Sequence, residues 1–176
     1  MTVRWRAFPL HPETPEEGLT LEELFAGRPI DIKGILSRLR QVADDLGLPL
    51  AERKKTYNSR LAQELAKWAE SRGKGDPFHE TLFRAYFAEG KNIGKVEELV
   101  MLAKSIGLPE KEARSVLELR TFKPAVDSDW SRSRALGITA VPTFVADHQE
   151  VVGFQSYEVL ERFLRARGAK KRKSPT

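Results

Sequence analysis

The chain has 176 residues, is 40% apolar and 31% charged, and carries a formal net charge of +5 with no cysteine at all. This is a globular composition, long enough for one domain with a real core and an inserted subdomain. The absence of cysteine excludes disulfides, thiolate metal sites and a cysteine nucleophile within these residues. Four of the net positive charges come from Lys170, Lys171, Arg172 and Lys173, so the body is close to neutral. No nucleic-acid face is expected on a body of that charge. No apolar run approaches the roughly 18 residues of a spanning helix, and Met1-Thr2-Val3-Arg4-Trp5-Arg6 lacks a signal-peptide core. The expectation is a soluble, cytoplasmic protein with no membrane partner.

Thr2 to Phe8 alternates, with Val3, Trp5 and Ala7 on one face, which predicts an edge strand with one wet side. Thr20-Leu21-Glu22-Glu23 reads as a capping box that opens a short helix. From Asp31 to Leu46 the apolar set Ile32, Ile35, Leu36, Leu39, Val42, Ala43 and Leu46 has helical spacing, with Asp31 as cap and Gly47 as stop. Ser59 to Ser71 repeats the pattern, with Ser59 as the cap. Asp76-Pro77 predicts a helix start, a capping Asp followed by proline at the first helical position. Further helices are expected from Lys95 to Ile106, from Pro109 to about Leu119 and from Lys123 to Leu136.

Gly137-Ile138-Thr139-Ala140-Val141-Pro142-Thr143-Phe144-Val145 then leads from a helix stop into a strand. Proline lacks an amide hydrogen and sits where a strand begins; by frequency alone the Val141–Pro142 bond is expected trans. Asp147-His148-Gln149-Glu150 reads as a four-residue loop and Val151-Val152 as the return strand. Ser156 can cap a helix carrying Val159, Leu160, Phe163 and Leu164. The order is one strand, about six helices, a hairpin and a last helix, so the helices are inserted between two halves of a sheet.

Sites are sparse. His11, His79 and His148 are scattered, and capping or surface roles outweigh a metal site. There is no phosphate-binding glycine loop and no nucleophile elbow. Phe83-Arg84-Ala85-Tyr86-Phe87 is aromatic-dense, with Phe83 and Phe87 on one face; a core stripe is favoured over a ligand wall. Tyr57-Asn58-Ser59-Arg60 stands at a helix start, where amides can hold an anion, although capping explains Ser59 and solvation explains Asn58 and Arg60.

Trp5-Arg6-Ala7-Phe8-Pro9-Leu10-His11-Pro12, Asn58-Ser59-Arg60-Leu61-Ala62, Leu82 to Gly90 and Gly137 to Phe144 together resemble the DsbA-like thioredoxin-fold proteins. The subgroup they resemble is the FrnE and 2-hydroxychromene-2-carboxylate isomerase type, which includes kappa-class glutathione transferases. The resemblance implies an α/β fold, a thioredoxin-like core with a large helical insertion. Residues 1–12 and 124–168 would form the incomplete core, residues 13–123 the inserted helical subdomain and residues 169–176 a disordered basic tail. It implies a cis Val141–Pro142 bond, with Val141 presenting its backbone to an extended peptide or to glutathione. It makes Asn58 a glutathione contact, with Ser128 and Asp129 near the glutamyl end.

Members of the family begin with a central strand and then a Cys-x-x-Cys, or a serine variant, at a helix N-terminus. This chain enters at the second strand, so the expected fold is N-terminally truncated and open at its sheet. Three functions are compatible with this. One is the body of a thiol–disulfide oxidoreductase, inactive in thiol exchange as given, with no catalytic residue of its own. The second is a glutathione-dependent isomerase or transferase. The third is a non-enzymatic assembly module whose sheet is completed by a homodimer or a partner chain.

Overall fold

The computed structural model describes residues 3–52 and 54–170, which divide into two compact units. One comprises residues 11–128, the other the described residues of 1–10 and 129–176. The predicted basic tail falls almost wholly on 171–176, outside the described residues.

The larger unit is helical. Its chain opens with a two-residue strand, β1 (Leu19–Thr20), which pairs antiparallel with β2 (Lys55–Thr56). Gly18 makes that approach possible: its φ is +76°, and a Cβ there would lie 2.6 Å from the Thr56 carbonyl oxygen. Next comes helix α1 (Leu21–Leu24), and its capping box forms as the spacing predicts: Thr20 Oγ1 accepts from Glu23 N at 3.1 Å, and Thr20 N donates to Glu23 Oε2 at 2.7 Å. Helix α2 (Ile32–Asp45) is capped by Asp31, whose Oδ1 accepts from Gly34 N at 2.9 Å.

The core of this unit is made by α3 (Arg60–Ser71), α4 (Gly75–Phe83), α5 (Val96–Ser105) and α6 (Glu110–Glu118). Leu65, Phe78, Leu99, Val100 and Leu117 are fully enclosed there. Two helix starts differ from the sequence expectation. At α3, Ser59 makes no capping bond; Asn58 Oδ1 accepts from Arg60 N at 2.9 Å instead. At α4, the helix begins at Gly75 with Lys74 as N-cap, so Asp76 lies in the first turn and Pro77 after it. The first helical donor is Phe78 N, to Lys74 O at 3.0 Å, so Pro77 still falls among the amides that need no partner.

The aromatic segment also departs from expectation. After α4 the chain widens into a π-helical turn, Arg84–Ala88, with Glu89 N donating to Arg84 O. The core stripe is Phe78, Leu82 and Ala85, whereas Phe83 and Phe87 are exposed and meet each other edge to face at 6.1 Å. The inward stripe runs one helical step away from the ring pair, so the shared face of Phe83 and Phe87 is the outer one. The Phe87 carbonyl, in the last turn where no helical donor follows, accepts from Ala51 N at 2.8 Å.

In the smaller unit, the described residues of the predicted N-terminal strand, 3–8, adopt no strand. Alternation selects a face, but a strand also needs a neighbour to receive its amides. Here Ala7 N donates to Asp129 Oδ2 at 3.0 Å, and Arg6 Nη1 to Asp129 Oδ1 at 2.9 Å. Asp129 belongs to α7 (Lys123–Ala135), so a buried carboxylate anchors this segment in place of a ladder. The hairpin β3 (Thr143–Ala146) and β4 (Gln149–Val152) pairs Phe144 with Val151 and Ala146 with Gln149. Its loop is only Asp147-His148, both at positive φ, so Gln149 and Glu150 join the strand. Helix α8 (Tyr157–Arg165) closes the unit, with Ser156 Oγ accepting from Val159 N. Arg167 ties it to the hairpin through the Ala146 carbonyl and the Gln149 side chain.

Candidate functional site

Of the residues singled out in the sequence, Val141 and Pro142 stand in the open. Both are exposed, and the peptide bond between them is cis. The loop is braced around them: Thr143 Oγ1 donates to Ala140 O at 2.7 Å, and Gly153 N donates to Pro142 O at 2.7 Å. Val141 itself is left out of this bracing. Its N–H and C=O have no hydrogen-bond partner among the described residues. Phe144, Val145, Val152 and Phe154 surround the hairpin with exposed apolar surface.

The other three predicted residues are placed differently. Asn58, in the helical unit, spends its whole amide on the chain: Nδ2 donates to Pro12 O at 3.1 Å and to Thr14 O at 2.7 Å, while Oδ1 holds the start of α3. It clasps the 12–14 segment to a helix N-terminus. Ser128, on α7 in the same unit, is exposed. Asp129, in the smaller unit, is buried, and both of its oxygens are taken by Arg6 and Ala7.

The helical unit also holds a charge network that the sequence pattern does not announce. Glu64 is fully buried on α3. Its carboxylate accepts from Arg60 Nε at 2.6 Å and from Arg120 Nε and Nη2 at 2.8 and 2.7 Å. Arg60 reaches on to Asp127 Oδ1 at 2.7 Å and to the Lys123 carbonyl at 3.1 Å. Burial pushes the Glu64 carboxyl up, but the bonds from Arg120 and Arg60 and their charges outweigh it and hold the group below the usual carboxylate range. The Asp127 carboxyl is also lowered, chiefly by its bond from Arg60. Arg120 sits at φ +53°, the left-handed position that ends α6, with Thr121 N donating to Val116 O at 3.3 Å, and from there it makes a forked bond to Glu64. The i,i+4 spacings of Arg60 with Glu64 and of Lys123 with Asp127 are the local signs of this network.

Tyr57, Tyr86, Phe87, Leu36 and Leu39 line a cavity of about 590 Å³ in the helical unit, beside Lys33, Arg40, Lys54 and Lys55. No group of three or more His, Cys, Asp or Glu among the described residues could hold a metal ion. No helix among them is long and apolar enough to cross a membrane.

A hairpin opened by a Val-Pro loop and backed by a terminal helix, on a chain with a long helical insertion, defines a thioredoxin-like protein of the DsbA type, mixed α/β and rich in helix. The family described as DSBA-like thioredoxin domain matches residues 1–165, and this chain belongs to it. The uncharacterized protein YwbO of Bacillus subtilis is 32% identical over 103 residues, 58% of this chain and 52% of that protein. The match thus spans about half the length of that curated relative. The crystal structure of a probable DsbA oxidoreductase from Streptomyces coelicolor superimposes with a TM-score of 0.82 at 26% identity, covering 97% of this chain and 77% of that one. A 2-hydroxychromene-2-carboxylate isomerase structure gives a TM-score of 0.66 at 18% identity over 78% of this chain and 66% of its own, a likeness that bears on the fold alone.

Proposed function

We propose that this chain is the substrate-docking body of a DsbA-like thiol–disulfide oxidoreductase, taking an extended polypeptide along Val141 and the β3–β4 hairpin. The observation that carries this reading is the unpartnered Val141 backbone, on an exposed segment that runs directly into a strand. An extended peptide pairs with such an N–H and C=O as an added strand does, and Phe144, Val152 and Phe154 offer apolar contacts beside it. In the chemistry of this class, a thiolate attacks one sulfur of a substrate disulfide. The S–S bond breaks, a mixed disulfide forms and the other sulfur leaves as thiolate; a second thiol then resolves the mixed disulfide. With no cysteine, these 176 residues supply the docking surface and no nucleophile. The glutathione reading draws less support, because the Asn58 amide is already committed to Pro12, Thr14 and Arg60.

The test is a titration of the chain with S-alkylated insulin B chain, an unfolded polypeptide that cannot exchange disulfides, monitored by amide NMR. Shifts centred on residues 141–154 are expected, together with no turnover in an insulin-reduction assay. Turnover without an added thiol enzyme would overturn the reading, as would unshifted amides in this segment at millimolar peptide.

A further inference from the structure

Helix α2 carries more apolar surface than its own unit uses. Within the helix only Ala43 is buried; Ile35 is 56% exposed, Leu39, at the edge of the cavity, is 40% exposed, Val42 is half-buried, and Leu46, its C-cap, is 54% exposed. Those four positions are spaced by four, three and four residues, the spacing of a coiled-coil seam. The helix spans 14 residues, about 21 Å, so the seam runs along most of its length.

We infer that α2 is a self-association helix, through which two copies of this chain pair antiparallel along Ile35, Leu39, Val42 and Leu46. The seam is self-complementary in that direction. About a two-fold axis between Arg40 and Gln41, Ile35 faces the partner's Leu46 and Leu39 faces the partner's Val42. The flanking charges match the same axis. Arg38 and Asp45 each stand one residue before a seam leucine, Leu39 and Leu46, so they occupy equivalent positions seven residues apart. In the antiparallel pair Arg38 meets the partner's Asp45, and the contact occurs twice. In a parallel pair these flanking positions lie on opposite sides of the seam, Arg38 facing the partner's Ala43, so no such ion pair forms. Arg38 has no ion-pair partner among the described residues, and Asp45 accepts a single bond, from Gln41 Nε2 at 2.9 Å. One short helix pair is a small interface, so association is weak and depends on concentration. It needs neither Val141 nor the hairpin, and it stands or falls separately from the proposed function.

Sedimentation velocity on the full chain, from micromolar to near-millimolar concentration, tests this. The wild type is expected to shift from monomer to dimer. Arg38→Asp and Asp45→Arg each set like charges at both ends of the pair and are expected to weaken it by about tenfold. An equimolar mixture of the two variants restores opposite charges and is expected to dimerise again. Direction is read by oxidative cross-linking, which the cysteine-free chain makes clean. Ile35→Cys is expected to link to Leu46→Cys in a mixture and not to itself, because two antiparallel copies hold residue 35 about 16 Å apart, beyond disulfide reach. A monomer at every concentration would overturn the inference. So would a dimer indifferent to both charge variants, or self-linking of Ile35→Cys.

Discussion

The two units of this protein hold themselves together by different means. The helical unit encloses Leu65, Phe78, Leu99 and Leu117 completely and seals a buried carboxylate between two arginines. Among the described residues of the smaller unit no apolar side chain is buried; its enclosed groups are Asp129 and Ser133, and α8 buries none of its residues. Hydrophobic burial is the main favourable term in folding, and a lone two-stranded hairpin is marginal in water. Stability is therefore concentrated in the helical unit, while the smaller unit leaves apolar side chains and the Val141 backbone exposed. On the proposed function, the docking surface falls in the less stable of the two units, where binding segments are commonly found.

Substitutions in each unit put this contrast to the test. The largest effect is expected from Phe78→Ala, which empties a fully enclosed site and should cost about 4 kcal/mol in urea unfolding monitored by helical circular dichroism. Next is Glu64→Ala, which strands two arginines and should cost about 3 kcal/mol. The same carboxylate sets an acid limit. Its folded pKa is lowered, so its contribution is complete above the ordinary carboxylate pKa of about 4.3 and is lost as pH falls through the lower folded value. Unfolding midpoints from pH 7 to pH 2 should show that loss in the wild type and a shallower one in Glu64→Ala. Asn58→Ala removes a cap and a clasp and should cost about 1–2 kcal/mol, with no change in insulin B chain binding. The smallest effect on stability is expected from Phe154→Ala. Phe154 is 65% exposed, so the change should stay within about 0.5 kcal/mol while weakening peptide binding measured by the NMR titration. A large loss of stability there would erase the contrast between the units.

Where structure is decided within a few residues, it is legible in the sequence. The Thr20–Glu23 capping box, the Asp31 and Ser156 caps and helices α2, α5 and α6 form as expected. Features that escape a local reading depend on partners far along the chain. The β1–β2 pair joins two-residue strands that no periodicity marks. The 3–8 segment alternates like a strand, yet a carboxylate more than a hundred residues away takes its amide. Asn58 and Ser59 are adjacent and both can cap; the choice of Asn58 comes with two backbone carbonyls of the 12–14 segment that only its amide reaches. The hairpin loop is two residues shorter than the sequence suggests, because His148 is not a standard sign of the left-handed conformation it adopts. For the site, Val141 and Pro142 are visible as a loop at a strand start. The network of Glu64, Arg60, Arg120 and Asp127 is not, since two of its members come from beyond α6.

The π-helical turn at Arg84–Ala88 makes this part of the chain sensitive to length as well as composition. A π turn takes in one residue more than an α turn would, so the chain beyond it is rotated by about 100° relative to an unbroken helix. Deleting Arg84, Ala85 or Tyr86 would let the ladder close and turn the Phe87 carbonyl, a last-turn acceptor with no helical donor, away from Ala51 N. The segment around Ala51 would lose its attachment although no side chain that contacts it had changed. A gap of one residue here alters which stretches of backbone are joined, and an alignment that scores it as a trivial loop indel would miss a rewiring.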